Sequence, residues 1–546
     1  MQKFRIGLGN GMTLIHGWFG RRSARPWVAE VVLTAMVCSA ATAWADADLA
    51  EPPSRKELAG SLSRALSQSA NNNQAQVAVV VVDALTGETL FANRHANEGF
   101  IPASNMKLVT SATSLDLYGP EAELTTTLAI AGNDLIVIGT GDPGFGDPTL
   151  AARQGRTAMS VLDDWATALR DAGVVRIRGD LVVIDTVFDD ELFHPTWSAA
   201  NRLQWYGAPV AGVNFNDNCV DFTFVPTTRG KAATIETVPP VAGDGFVIRG
   251  KIESRGDGGE HAPVLDKRPT PDKNRSVYAV RGGITQTAGP YSRPVDDPRR
   301  FLGETLKAHL ATHGITVRGE VRLADRINSR TAQRSRVIAK HQTPLVDVLG
   351  RVNTNSQNMM AEALAKLNGW AHELHQGNDE ARGTWAGGHA AAVAFLQSQG
   401  IDTQAVVSAD GSGLSRENRV SAAVLAQLLE TMLTEHEHGE HFLNSLAISG
   451  TRGSLVRRLQ SLNGRVYAKT GTIRRVSTLS GYVFAENGQV AVFSIMHNGN
   501  GSGFRGQQDR AVEAIAAWLE GQPAVEIEDP EVIEAMEHVG LLTPTP

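Results

Sequence analysis

The sequence predicts an α+β protein, an α/β sandwich in which an antiparallel sheet is built from both chain ends and covered by helices. Three observations carry this. AQVAVVVVDALTGETL (75–90) is a β-branched run that meets Thr86-Gly87, a strand entering a hairpin turn. Near the other end, GRVYAKTGT, VSTLSGYVF and QVAVFSIMHNG are strand-like runs, with Asn487-Gly488 as the turn between the last two, and QQDRAVEAIAAWLEG follows as an amphipathic helix. Between these halves, from about Thr125 to Ile338, the chain turns to short strands, Gly and Pro, as an insertion would.

A chain of 546 residues, 42% hydrophobic and 20% charged, is globular and has room for about three domains. The formal charge of −7 and the lack of a Lys/Arg stripe with interleaved aromatics exclude a nucleic-acid partner. Residues 1–45 read as a secretory signal peptide. Lys3, Arg5, Arg21, Arg22 and Arg25 precede an uncharged stretch from Val31 to Ala43, and Ala43-Trp44-Ala45 supplies the cleavage site. That stretch, bounded by Glu30, is shorter than the ~18 residues that span a bilayer, so the mature protein is expected to carry no transmembrane span. Cys38 leaves with the signal, and Cys219 alone cannot form an intramolecular disulfide.

An internal repeat organises the middle. ALRDAGVVRIRGDL (168–181) resembles HLATHGITVRGEV (309–321), each a helix end, a Gly cap and a strand. Related halves on either side of another segment predict nesting. The expected layout is 46–122 and 341–521 as the two parts of the sheet domain, 123–205 and 291–340 as an inserted domain, and 206–290 as a second insertion within it. Residues 522–546 form an acidic tail.

Three short motifs carry chemistry only when taken together. Ser104-Asn105-Met106-Lys107 opens a helix, so the hydroxyl and the amine at i and i+3 share a face. A serine becomes a nucleophile when a base takes its proton. Lys107 can do so only when neutral, which requires its pKa to fall from ~10.4 through desolvation or a cationic neighbour such as Lys469. Ser356-Gln357-Asn358 lies in a polar loop opening a helix, where a hydroxyl can relay a proton and an amide can hold a substrate backbone; alone it reads as a helix cap. Lys469-Thr470-Gly471-Thr472 sits on a predicted strand. There Lys and Thr suit a carboxylate, Gly471 leaves room for a substrate strand, and the Thr472 N–H can join that of Ser104 in an oxyanion hole.

In this order the triplets form the set used by serine β-lactamases and penicillin-binding proteins. Ser104 and Ser356 are 252 residues apart and Ser356 and Lys469 are 113 apart, which places the insertions between the first two motifs. With IPASNMKLVTSATSLDLYGP, GTGDPGFGDP, RGDLVVIDTVFDD, YGAPVAGVNFNDNCVDF, NTNSQNMMAEALA, DGSGLSREN and AKTGT, the chain resembles the class C low-molecular-mass penicillin-binding proteins, the D-alanyl-D-alanine carboxypeptidase/endopeptidase family. The resemblance implies a penicillin-binding-protein/serine β-lactamase-like transpeptidase domain with two nested insertions. It implies a periplasmic serine-type peptidase that cuts peptidoglycan stem peptides and cross-links through an acyl-enzyme, takes β-lactams as inhibitors and needs no cofactor or metal. Ser104 would be the nucleophile, Lys107 the proton acceptor and Ser356 the second catalytic serine, with Asn358, Lys469, Thr470, Gly471 and Thr472 binding substrate. DGSGLSREN (410–418) would border the site, whereas Ala103 and Asn105 count as ordinary variation.

Other groupings have simpler readings. His436, His438 and His441 suit a polar helix end, Asp142 and Asp147 suit Asp-Pro turns, and Cys219 suits a small buried position. The rival functions are a β-lactamase or esterase on the same scaffold, and a wall-binding protein with a vestigial site.

Overall fold

The computed structural model describes residues 51–67, 75–185, 187–241, 245–270, 275–324 and 335–525. The expected signal peptide and all but the first residues of the acidic tail lie outside these. The chain divides into two compact units. Of the described residues, one unit holds those within Glu121–Val348 and Asn358–Gly387, and the other holds those within 51–120, Leu349–Gln357 and 388–525.

The unit built from the chain ends contains a six-stranded sheet in the order Ala447–Ile448, Val466–Ile473, Val476–Phe484, Val490–Asn498, Gln76–Asp83 and Thr89–Ala92. All its pairings are antiparallel, so the first and last strands of the domain meet in the middle, with Val79 opposite Ile495. Gly488, at φ +82°, makes the expected turn before Val490–Asn498. Val476–Phe484 is buried at every position, because helices cover both faces; such strands read as apolar runs instead of alternating ones. One face packs Val79, Val81, Phe493 and Ile495 against Leu58 and Leu62 of Arg55–Leu66 and Ile515 and Leu519 of Phe504–Glu520. On the other, the Tyr482 hydroxyl donates to the Leu429 carbonyl of Ala422–Thr434 at 2.7 Å.

The second unit holds a five-stranded sheet in the order Val321–Ala324, Leu181–Asp185, Asp134–Gly139, Glu123–Ala131 and Ser335–Pro344. The internal repeat is visible as a side-by-side pair within it. Helices Ser160–Asp171 and Pro298–Thr312 end before Gly173 (φ +74°) and Gly314 (φ +75°), left-handed positions that a side chain would strain. The strands after them then pair in parallel, Thr316 with Arg176 and Val321 with Leu181. Two smaller sheets follow from residues 219–294, and one apolar cluster runs through all three sheets, including Phe145, Trp165, Phe215, Phe222, Tyr278 and Phe301. Phe145 meets Trp165 at 4.8 Å and Phe215 at 5.8 Å between ring centroids.

The turn readings of the acidic pair hold. The Asp147 carboxylate accepts from Leu150 N at 2.6 Å and caps Pro148–Arg153, and Asp142 accepts from Gly144 N at 2.9 Å, its carboxyl pushed up to about 7 by burial. Cys219 is a buried free thiol whose pKa burial raises well above its usual value, which makes it unreactive. No helix among the described residues is long and apolar enough to cross a membrane.

A buried ion pair holds Asn358–His375 within this unit. The Lys366 ammonium donates to the Asp189 carboxylate at 2.5 Å and to the Glu191 carbonyl at 2.6 Å, and lies 3.9 Å from the Trp385 ring centroid. Burial lowers the Lys366 pKa and Asp189 opposes that shift. Asp189→Ala would leave a desolvated cation without its counter-charge. It should cost about 3–5 kcal/mol in chemical denaturation, and a loss below ~1 kcal/mol would contradict this account of the pair.

Candidate active site

Ser104 lies in the 3-10 turn Ala103–Asn105 that leads into helix Met106–Tyr118. One helical turn on, Lys107 is fully buried with its Nζ 3.2 Å from Ser104 Oγ, and it donates to the Ser412 carbonyl at 2.9 Å. The second serine follows Leu345–Thr354, where the chain reverses with Ser356 at φ +61°, a left-handed backbone that costs a non-glycine residue about 1–3 kcal/mol. Fixed neighbours impose it: Thr354 Oγ1 donates to the Ser445 carbonyl at 2.7 Å, and Asn353 Nδ2 donates to Ser445 Oγ at 2.8 Å.

Strand Val466–Ile473 supplies the third motif. Lys469 is fully buried and donates to Ser356 Oγ at 2.9 Å and to the Thr470 carbonyl at 3.0 Å. Burial first, and the charge of Lys107 second, hold the Lys469 ammonium well below the ordinary lysine range. Lys469, expected to serve as the second cation beside Lys107, is thus itself strongly shifted. Thr470 Oγ1 donates to Ser454 Oγ at 2.8 Å, and Thr472 is exposed.

Gly471 also makes room within the fold. A Cβ there would fall 2.2 Å from Thr478 Oγ1, 2.9 Å from the Pro102 carbonyl and 3.0 Å from Ser104 N. The space it leaves admits the turn carrying the serine, so strand and nucleophile lie against each other. Thr478 Oγ1 donates to the same Pro102 carbonyl at 2.8 Å. The neighbouring edge strand is short. Ala447–Ile448 pairs with Tyr467 and Ala468, so residues 469–473 are not paired by it.

Seven of the eight residues singled out in the sequence therefore share one unit: Ser104, Lys107, Ser356, Lys469, Thr470, Gly471 and Thr472. Asn358 is grouped with the other, where its Nδ2 donates to the Tyr206 carbonyl at 2.7 Å. Buried amines beside two serine hydroxyls, with a strand edge alongside, are the parts of an acyl-transfer site.

Comparison with known proteins agrees. The model of the D-Ala-D-Ala carboxypeptidase 3 (S13) family matches residues 58–521. The chain belongs to this family. It is a serine-type hydrolase and a low-molecular-mass class C penicillin-binding protein. It is 31% identical over 446 residues to the D-alanyl-D-alanine carboxypeptidase of Actinomadura sp. (strain R39), across 77% of each chain. The crystal structure of penicillin binding protein 4 (dacB) from Haemophilus influenzae has the same fold, with a TM-score of 0.67 at 22% identity over 84% of this chain and 99% of that one. The same protein complexed with a β-lactam gives a TM-score of 0.64 at 20% identity, over 85% of this chain and 99% of that one.

Within this S13 site one feature escaped the motif reading, the role of the residues flanking the nucleophile, while the 410–418 segment lies at the nucleophile's turn as the resemblance implied. Asn105 and Ala103 are not idle. Buried Asn105 donates from Nδ2 to Ser480 Oγ at 2.6 Å, and Ala103 sits at φ +46°, so both shape the nucleophile's turn. The segment 410–418 wraps the same turn: Thr110 Oγ1 donates to the Gly411 carbonyl at 2.8 Å, and a Cβ on Gly413 (φ +83°) would lie 1.7 Å from the Ala103 carbonyl oxygen. Asp410 braces that segment, accepting from Gly413 N at 2.8 Å, Ser415 N at 2.5 Å and Asn418 Nδ2 at 2.7 Å. The clustered Gly, Ser and Asp residues were the available signal. The histidine-rich helix end bears no metal-type grouping among the described residues; His436 Nε2 lies 3.6 Å from the Asp116 carboxylate.

Proposed function

We propose that the protein is an exported D-alanyl-D-alanine carboxypeptidase and endopeptidase that trims peptidoglycan stem peptides and cross-links through an acyl-enzyme on Ser104. The 3.2 Å approach of Lys107 Nζ to Ser104 Oγ carries this reading. A peptide lying along residues 469–473 would bring its penultimate D-alanine carbonyl to Ser104, with its terminal carboxylate near Lys469 and Thr470. Ser104 Oγ attacks the carbonyl carbon and its proton passes to Lys107. The oxyanion is held by the N–H groups of Ser104 and Thr472. The C–N bond then breaks, Ser356 relays a proton to the leaving amine, and water hydrolyses the ester. A cross-linked peptide presents the same carbonyl with a longer leaving group, which is the basis for endopeptidase action. Asn358 would hold the substrate's backbone amide.

A substrate carboxylate beside Lys469 favours a proton on that amine, and repulsion between the two cations then favours a neutral Lys107. The pair behaves as one unit with a mobile proton. Nesting of 206–290 within 123–205 and 291–340 accords with the paired repeat strands. Residues 1–45 are the expected export signal, and the periplasm is where the substrate lies.

A penicillin resembles the D-alanyl-D-alanine terminus, and its opened ring stays tethered where water must approach. Incubation with benzylpenicillin should therefore give a long-lived adduct by intact mass, mapped to the Ser104 peptide and missing from Ser104→Ala. Rapid turnover of penicillin without an adduct would favour a β-lactamase instead.

A further inference from the structure

Helices Ser160–Asp171 and Pro298–Thr312, the two repeat-related helices of the five-stranded sheet, carry a cluster that the peptidase chemistry does not use. Asp163 lies on the first helix, His309 in the last turn of the second, and His313 caps that helix. Among the described residues these are the one group of three His, Cys, Asp or Glu side chains whose donor atoms all lie within 4.8 Å of one another. His309 Nε2 is 2.8 Å and His313 Nε2 is 3.3 Å from the same Asp163 Oδ1. The two imidazoles sit four residues apart on one helix face, with centroids 4.5 Å apart.

The seating of the His313 ring bears on what this cluster can hold. His313 Nδ1 lies 3.1 Å from the His309 carbonyl oxygen. Thr312 Oγ1 donates to that carbonyl at 2.7 Å and also lies 3.2 Å from His313 Nδ1, so the backbone and this hydroxyl together seat the Nδ1 edge of the ring and leave Nε2 toward Asp163. In a neutral ring with its proton on Nδ1, the Nε2 lone pair faces a carboxylate oxygen. Two electron-rich atoms at 3.3 Å repel unless a cation lies between them, either a proton on Nε2 or a metal ion. Backbone capture of Nδ1 is also the arrangement that orients a metal-bound histidine and frees Nε2 to ligate.

We propose that Asp163, His309 and His313 form a zinc-class metal site that ties the two repeat helices together. Zn–N and Zn–O bonds of about 2.0–2.2 Å in a tetrahedron separate ligand atoms by roughly 3.3 Å, so the two Asp163 contacts at 2.8 and 3.3 Å are close to that spacing, and all three donors lie within the 4.8 Å that small side-chain rotations can close around one ion. Two imidazoles and a carboxylate suit Zn²⁺ over Mg²⁺ or Ca²⁺, and the half-exposed Asp163 side chain leaves the fourth position to water.

The test uses untagged mature protein, freed of metal by chelator and dialysis, titrated with ZnCl₂ by calorimetry and with CoCl₂ by visible absorption. One equivalent should bind with a Kd near ~1–10 µM, and Co²⁺ should give the intense bands of a tetrahedral ion. His313→Ala, His309→Ala and Asp163→Asn should each weaken binding at least ~10-fold, whereas His438→Ala, in the other histidine-rich segment, should not. Circular dichroism and penicilloyl-adduct formation verify that each variant is folded. No binding by the wild-type chain would mean that a proton bridges the cluster and would overturn the proposal, as would binding unchanged in His309→Ala/His313→Ala.

Discussion

Lys107→Arg should lower the rate of Ser104 acylation by ~10³-fold or more while the protein stays folded. Arginine keeps the positive charge and the stem, so a merely electrostatic role for position 107 would survive the change. A guanidinium cannot give up its proton in this range and cannot serve as the base. Stopped-flow acylation by a chromogenic β-lactam measures the effect, and a near-normal rate would move the base elsewhere. The pH profile of the wild type supplies a second reading. Burial and the Lys107 charge hold the Lys469 ammonium well below the ordinary lysine range. A buried pair that must hold one neutral amine to take the serine proton gains it as the pH rises through that lowered ionisation. Acylation should therefore rise with pH and level off well before the ~10.4 of an unperturbed lysine. A rate independent of pH through neutrality would contradict the paired-amine account.

Gly413→Ala should also be damaging, though it removes no chemical group. Its methyl would lie 1.7 Å from the Ala103 carbonyl oxygen, and its backbone, at φ +83°, strains any residue but glycine. The segment cannot yield freely, because Asp410 ties it at Gly413, Ser415 and Asn418. Relief must therefore come from the nucleophile's turn, and a shift of about 1 Å there costs on the order of 10²-fold in acylation. Equal acylation rates in Gly413→Ala and the wild type would show that the contact does not hold Ser104 in place.

The motifs were legible because each is a local pattern in a local context: a serine and lysine one helical turn apart, a loop before a helix, and a strand bounded by turns. The sheet of chain ends was legible for a similar reason, since β-branched runs and the Asn487-Gly488 turn announce themselves. The repeat was legible as two helix-Gly-strand units, and their parallel pairing explains why both kept that form. What stayed hidden depends on contacts across hundreds of residues. The Lys107 hydrogen bond to the Ser412 carbonyl spans 305 positions and involves no side chain of residue 412, so no residue type could signal it. Asn105 looked ordinary because its partner, Ser480, is 375 residues away. Gly471 was correctly picked as a glycine that must be small, but its neighbour is the nucleophile's own turn, which only the fold brings there.

The central claim is that Ser104 is the nucleophile of a D-alanyl-D-alanine peptidase, and digestion of purified muropeptides followed by mass spectrometry tests it most directly. Wild-type mature protein should remove the terminal D-alanine from pentapeptide stems and open D-alanyl cross-links, with both activities lost on prior treatment with benzylpenicillin and in Ser104→Ala. Undiminished release of D-alanine by the Ser104→Ala variant, or no cleavage of any muropeptide by folded wild-type protein, would contradict the account.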